Sequence, residues 1–67
     1  MIEIFLNGLA HQVPELTTIE GLIEQIGLQK KGVAIAVNSE VIPKSNWTEK
    51  SLLSQDKVEL LTIAQGG

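Results

Sequence analysis

"IEIFLNGLAHQVPELTTIEGLIEQIG", residues 2–27, switches its apolar spacing partway along, and that switch decides the fold. Ile2, Ile4 and Leu6 alternate with Glu3 and Phe5, the pattern of a strand with one buried face. Asn7-Gly8 follows. Both central positions of a type I′ turn need positive φ, which Asn and Gly tolerate. Residues 9–13 return as a second strand, stopped at Pro14, so the chain opens on an antiparallel hairpin. Ile19, Leu22, Ile23 and Ile26 then fall at i, i+3, i+4 and i+7, one stripe of a helix expected over 17–27. Thr17 is the expected N-cap, with Glu20 three residues later closing a capping box, and Gly27 suits a left-handed stop. Glu20 and Glu24 lie one turn apart on the wet side, which accounts for them without paired-carboxylate chemistry. Gly21 costs about 1 kcal/mol against Ala inside a helix, and a close approach to the sheet is its expected reason.

The rest of the chain adds strands. In "VAIAVN" (33–38) Val33, Ile35 and Val37 should face one side and the small Ala34 and Ala36 the other. A tight turn around 38–40 leads to a short strand, "EVI", halted by Pro43. Residues 44–56 connect, with a single helical turn expected near 48–53, and "KVELLTIA" (57–64) is the last strand. Trp47 reads as a packing plug under the connection. His11, with no partner at ligand spacing, reads as an ordinary surface residue. One helix among strands implies an α+β layer pair.

Composition bounds the function. Sixty-seven residues without linker or repeat make one domain, 1–67. A chain this short buries only about 60% of the surface its unfolded form exposes, so a 43% apolar content must supply the core. No cysteine is present, which removes disulfides and thiolate metal sites and fits a reducing cytoplasm. The opening "MIEIFLNG" has neither the basic flank of a signal peptide nor the length of a membrane span. A net charge of −3 argues against nucleic acid, where a basic face supplies the affinity. No phosphate loop, nucleophile triad or metal cluster is legible.

The order of elements suggests a ubiquitin-like β-grasp, a mixed four- to five-stranded sheet with one covering helix. "VAIAVNSEVIPKSNW" (33–47) and the strand running into terminal Gly66-Gly67 resemble the ThiS family of sulfur carrier proteins in thiamine biosynthesis. The resemblance covers essentially the whole chain. The tail reads "AQGG" where "AGG" is the family's usual ending. Pairing of the first and last strands side by side, in parallel, is implied by this resemblance and not by the spacing. Two alternatives stay open: a carrier like the small subunit of molybdopterin synthase, and a non-covalent ubiquitin-like interaction module.

The resemblance implies that the chain is a protein cosubstrate and not an enzyme. An E1-like adenylating enzyme would use ATP and magnesium to activate the carboxylate of Gly67, and a sulfur donor system would convert it to a thiocarboxylate that thiazole synthase consumes. The residues agree. An α-carboxylate of pKa about 3.3–3.7 is ionised at neutral pH and needs no base to attack phosphorus. Two glycines give a thin, flexible tether at 65–67 with no Cβ beside the reacting carbon. On the last strand, Val58, Leu60 and Thr62 share one face, and Glu59, Leu61 and Ile63 the other. With Phe5 sent outward by its strand, Phe5, Leu61 and Ile63 are expected to form an apolar docking patch beside Ala34 and Ala36.

Overall fold

A computed structural model describes residues 1–28 and 31–62. Five strands, β1 (Ile2–Leu6), β2 (Leu9–Val13), β3 (Val33–Val37), β4 (Glu40–Ile42) and β5 (Lys57–Thr62), form one mixed sheet in the order β2-β1-β5-β3-β4. The single helix among the described residues, α1 (Ile19–Ile26), covers one face. β1 and β5 run parallel, Phe5 opposite Lys57 and Leu6 opposite Val58, while β1–β2, β3–β4 and β3–β5 are antiparallel. The last strand therefore occupies the centre of the sheet.

Strand alternation sorts the side chains as the sequence leads one to expect. Ile4, Val13, Val33, Ile35, Val37, Ile42 and Val58 are buried against Ile19, Leu22 and Ile23 of α1, with Ile2, Leu6, Ile26 and Leu60 packed around them. Trp47 is the plug the sequence indicates. It is buried beside this cluster, and its indole N–H donates to the Ile42 carbonyl at 2.8 Å. The Lys44 ammonium lies 5.9 Å from the ring centre.

The helix starts one residue later than expected. Thr18, in extended conformation, is the N-cap, and its hydroxyl accepts from the Gly21 N–H at 3.0 Å. Thr17 is committed elsewhere: its carbonyl accepts from the Leu52 N–H and its hydroxyl donates to the Pro14 carbonyl. Residues 17–19 lie antiparallel to 50–52, bridged at Thr18 and Ser51, so Thr17 sits in extended pairing before the helix begins. With the cap at Thr18, the third helical position is Gly21 and no capping box forms. The remaining first-turn donors are satisfied by the connection, Ile19 N–H by the Lys50 carbonyl and Glu20 N–H by the Trp47 carbonyl. Gly21 does not abut the sheet. A Cβ there would meet the Thr18 hydroxyl at 3.4 Å and the Thr17 methyl at 3.5 Å, so its close neighbour is the helix's own cap. Gly27 closes the helix as expected, at φ 79°.

The helical turn in the connection is also displaced. It is a 3-10 turn at Lys44–Asn46, directly after Pro43, and residues 50–52 are extended instead of helical. Turning at once after β4 carries Trp47 back under the sheet, and the bridge to residues 17–19 claims the stretch where a helix was expected.

Candidate functional site on the uncovered sheet face

Alternation on five strands leaves a second face with no helix over it. Phe5 stands there on β1, Ala34 and Ala36 on β3, Val41 on β4, and Lys57, Glu59 and Leu61 on β5. Leu61 lies directly opposite Ala34, and Glu59 opposite Ala36. Because the two alanines are short, the β5 side chains stand above their neighbours. Leu61 is 61% exposed and Phe5 is half-buried. Both line a cleft of about 620 Å³ over β5, edged by the Asn7–Gly8 turn on one side and Ser39 on the other. The structure thus brings Phe5 and Leu61 to one concave, largely apolar surface, with Lys57 and Glu59 as its charged groups. Ile63, Gly66 and Gly67 lie outside the described residues.

Two asparagines hold β5 beneath this cleft, and neither was legible as more than a turn former. Asn7 (φ 50°) and Asn38 (φ 52°) both occupy left-handed positions in hairpin turns. The Asn38 side-chain oxygen accepts from the Lys57 N–H at 3.0 Å, and the Asn38 N–H donates to the Lys57 carbonyl at 2.7 Å. Its Nδ2 donates to Oδ1 of Asp56, a buried carboxylate whose Oδ2 accepts from the Leu53 N–H. Asn7 treats the far end of the strand the same way. Its Oδ1 accepts from the Leu60 N–H at 2.8 Å and its Nδ2 donates to the Leu60 carbonyl at 3.2 Å. The signal for both was present in the choice of Asn, since glycine suits the left-handed region at least as well.

His11 departs from its expected surface role. It stands opposite Ile4, and so on the helix side of β2, half-buried, with Nε2 enclosed and without a hydrogen-bond partner. Among the described residues no group of three or more His, Asp or Glu side chains could hold a metal ion. No helix among them is long and apolar enough to cross a membrane.

A one-helix β-grasp domain, its central strand leading from an open apolar cleft toward a glycine pair, is the class of protein these features define. The chain belongs to the ThiS family, whose model matches residues 3–67. It is 27% identical over 66 residues to the sulfur carrier protein ThiS of Escherichia coli, covering 98% of this chain and all of that one. A thiazole synthase of Paramagnetospirillum magneticum contains a similar stretch, 27% identical over 66 residues, and there this chain spans only 20% of the relative's length. The crystal structure of the thiamine biosynthesis protein ThiS from Geobacter metallireducens has the same fold, with a TM-score of 0.86 over 98% of this chain and all of that one, at 23% identity.

Proposed function

We propose that this chain is the sulfur carrier of thiamine biosynthesis and that Gly67 carries the sulfur as a thiocarboxylate. The observation that carries the reading is the family match itself, which runs through the glycine pair to residue 67. An E1-like enzyme supplies ATP and magnesium. The Gly67 carboxylate attacks the α-phosphorus, pyrophosphate leaves, and a sulfur nucleophile from a donor system then displaces AMP from the acyl carbon. Carboxylate is a poor acyl donor, so the adenylate is what makes the exchange of oxygen for sulfur feasible. The chain is the cosubstrate throughout and supplies no acid, base or nucleophile other than its own terminus. A cytoplasmic setting belongs to the same proposal, since the activation draws on ATP.

Thiazole synthase is the proposed acceptor. Support comes from the Paramagnetospirillum thiazole synthase, in which a stretch like this chain is part of the enzyme's own polypeptide. Docking on both partners is assigned to the cleft face, with Phe5 and Leu61 as apolar anchors and Ile63 continuing their set. Nucleic acid and membrane are not among the proposed partners.

Intact mass after incubation with the activating enzyme, ATP, magnesium and a sulfur source tests the reading. An AMP adduct, followed by replacement of one oxygen by sulfur, is expected. Appending one residue after Gly67 moves the terminus by roughly 3.3–3.6 Å of extended chain and adds a side chain, and should abolish the adduct. An extended chain adenylated as fast as the original would refute the assignment and favour a non-covalent interaction module.

A further inference from the structure

We infer that Asn7 is a positioning residue that fixes β5 at Leu60, on the stretch from which the chain continues to Gly67. β1 ends at Leu6 and turns away through Asn7 and Gly8, yet β5 runs on to Thr62. The Asn7 N–H donates to the Val58 carbonyl at 2.9 Å, the last backbone link between the two strands in this direction. One step farther along, the Asn7 carboxamide takes over. It presents an acceptor to the Leu60 N–H and a donor to the Leu60 carbonyl, two bonds that a continued parallel β1 would have made from two successive peptide units. The side chain thus stands in for the edge that β1 no longer offers at this point. Among the described residues, the backbone of Leu60, Leu61 and Thr62 is otherwise paired from the other side, with Ile35, Ala34 and Val33.

Turn formation alone does not explain the residue. At φ 50° glycine would serve as well as asparagine, and Gly8 beside it, at φ 85°, shows that the turn accepts it. What asparagine adds is the carboxamide. Two hydrogen bonds to one residue restrict both the position and the twist of Leu60, and so set the origin and heading of the residues that follow. A reacting group at Gly67 must arrive at a distant active site within a narrow set of positions, and a misplacement of the strand before it is carried toward that end.

The tail's purpose rests on the carrier reading above; the clamp on Leu60 does not. Asn7→Gly in the full chain keeps the turn and removes the clamp, and Asn7→Asp keeps the acceptor for the Leu60 N–H while losing the donor. Amide exchange followed by NMR should show Leu60 exchanging about tenfold faster in Asn7→Gly, with the amides of Leu22 and Ile23 in α1 unchanged. Asn7→Asp should fall between. With the activating enzyme, Asn7→Gly should lower kcat for adenylation about tenfold at saturating carrier, a larger change than in the KM for carrier, because the proposed anchors Phe5 and Leu61 are untouched although Asn7 edges the same cleft. A general loss of structure would instead raise exchange at every amide together. Unchanged Leu60 exchange overturns the clamp, and faster Leu60 exchange with unaltered kcat overturns its role in aiming the tail. An unsubstituted chain that takes no adenylate would refute the carrier reading, and the Leu60 exchange ratio, which needs no enzyme, would still decide the clamp.

Discussion

Alanine at Val58 and alanine at Leu61, three residues apart on β5, should have opposite consequences. Val58 is 1% exposed and faces the helix, paired with Leu6 on one side and Val37 on the other. Val58→Ala removes two methyl groups, worth about 0.8 kcal/mol each in transfer, and the space left behind adds to this, for a total of about 2–3 kcal/mol. A domain of this length has on the order of 3–10 kcal/mol in all, so the loss is a large fraction. Leu61 at 61% exposure keeps roughly two-fifths of its side chain from water, and its truncation costs about 0.5–1 kcal/mol. At about 4–8 °C per kcal/mol, the midpoint should fall by about 10–20 °C for Val58→Ala and by at most about 8 °C for Leu61→Ala. Urea unfolding followed by fluorescence reads both variants, because the single Trp47 is buried and reports on the core. Adenylation at limiting carrier gives the second axis: Leu61→Glu should be folded but poorly activated. If Leu61→Ala costs as much stability as Val58→Ala, the two faces of β5 have been assigned the wrong way round.

Two further substitutions probe the frame. Trp47→Phe keeps most of the buried ring but leaves the Ile42 carbonyl without its indole donor, and should cost about 1–3 kcal/mol by urea titration, with m unchanged. Thr18→Ala removes the N-cap acceptor of the Gly21 N–H and should cost about 1 kcal/mol, whereas Thr18→Ser should be close to neutral, as read by the thermal midpoint.

Elements governed by local patterning were legible. The 2–13 hairpin follows from period-two spacing around Asn7-Gly8, and the helix from its stripe and Gly27, because each signal lies within a few residues of the structure it dictates. The misplaced details share one cause, the extended pairing of residues 17–19 with 50–52. That pairing is invisible to a local reading, yet it moves the cap from Thr17 to Thr18 and suppresses a helical turn at 48–53. His11 was misjudged because its type was weighed before its register, and Ile4 opposite it puts it on the helix side. At the candidate site, Phe5 and Leu61 were placed on the open face by alternation alone. The roles of Asn7 and Asn38 were missed because each makes its bonds across the sheet, Asn7 to a residue 53 positions away.

The central position of β5 also governs how the molecule is made. Of the described strands, the one synthesised last is the one that joins the β1–β2 hairpin to the β3–β4 hairpin, and until it arrives each hairpin presents an unpaired inner edge. Closing contacts such as Asn7 to Leu60 spans nearly the whole chain, so the final step is non-local and slow compared with hairpin or helix formation. A nascent or truncated chain lacking β5 would be two separate hairpins with open edges, a form prone to mispairing. In the carrier role proposed above, Gly67 follows in sequence the strand that completes the sheet. Misfolded copies would lack the assembled cleft, and an activating enzyme docking there as proposed would pass them over without any separate test of their integrity.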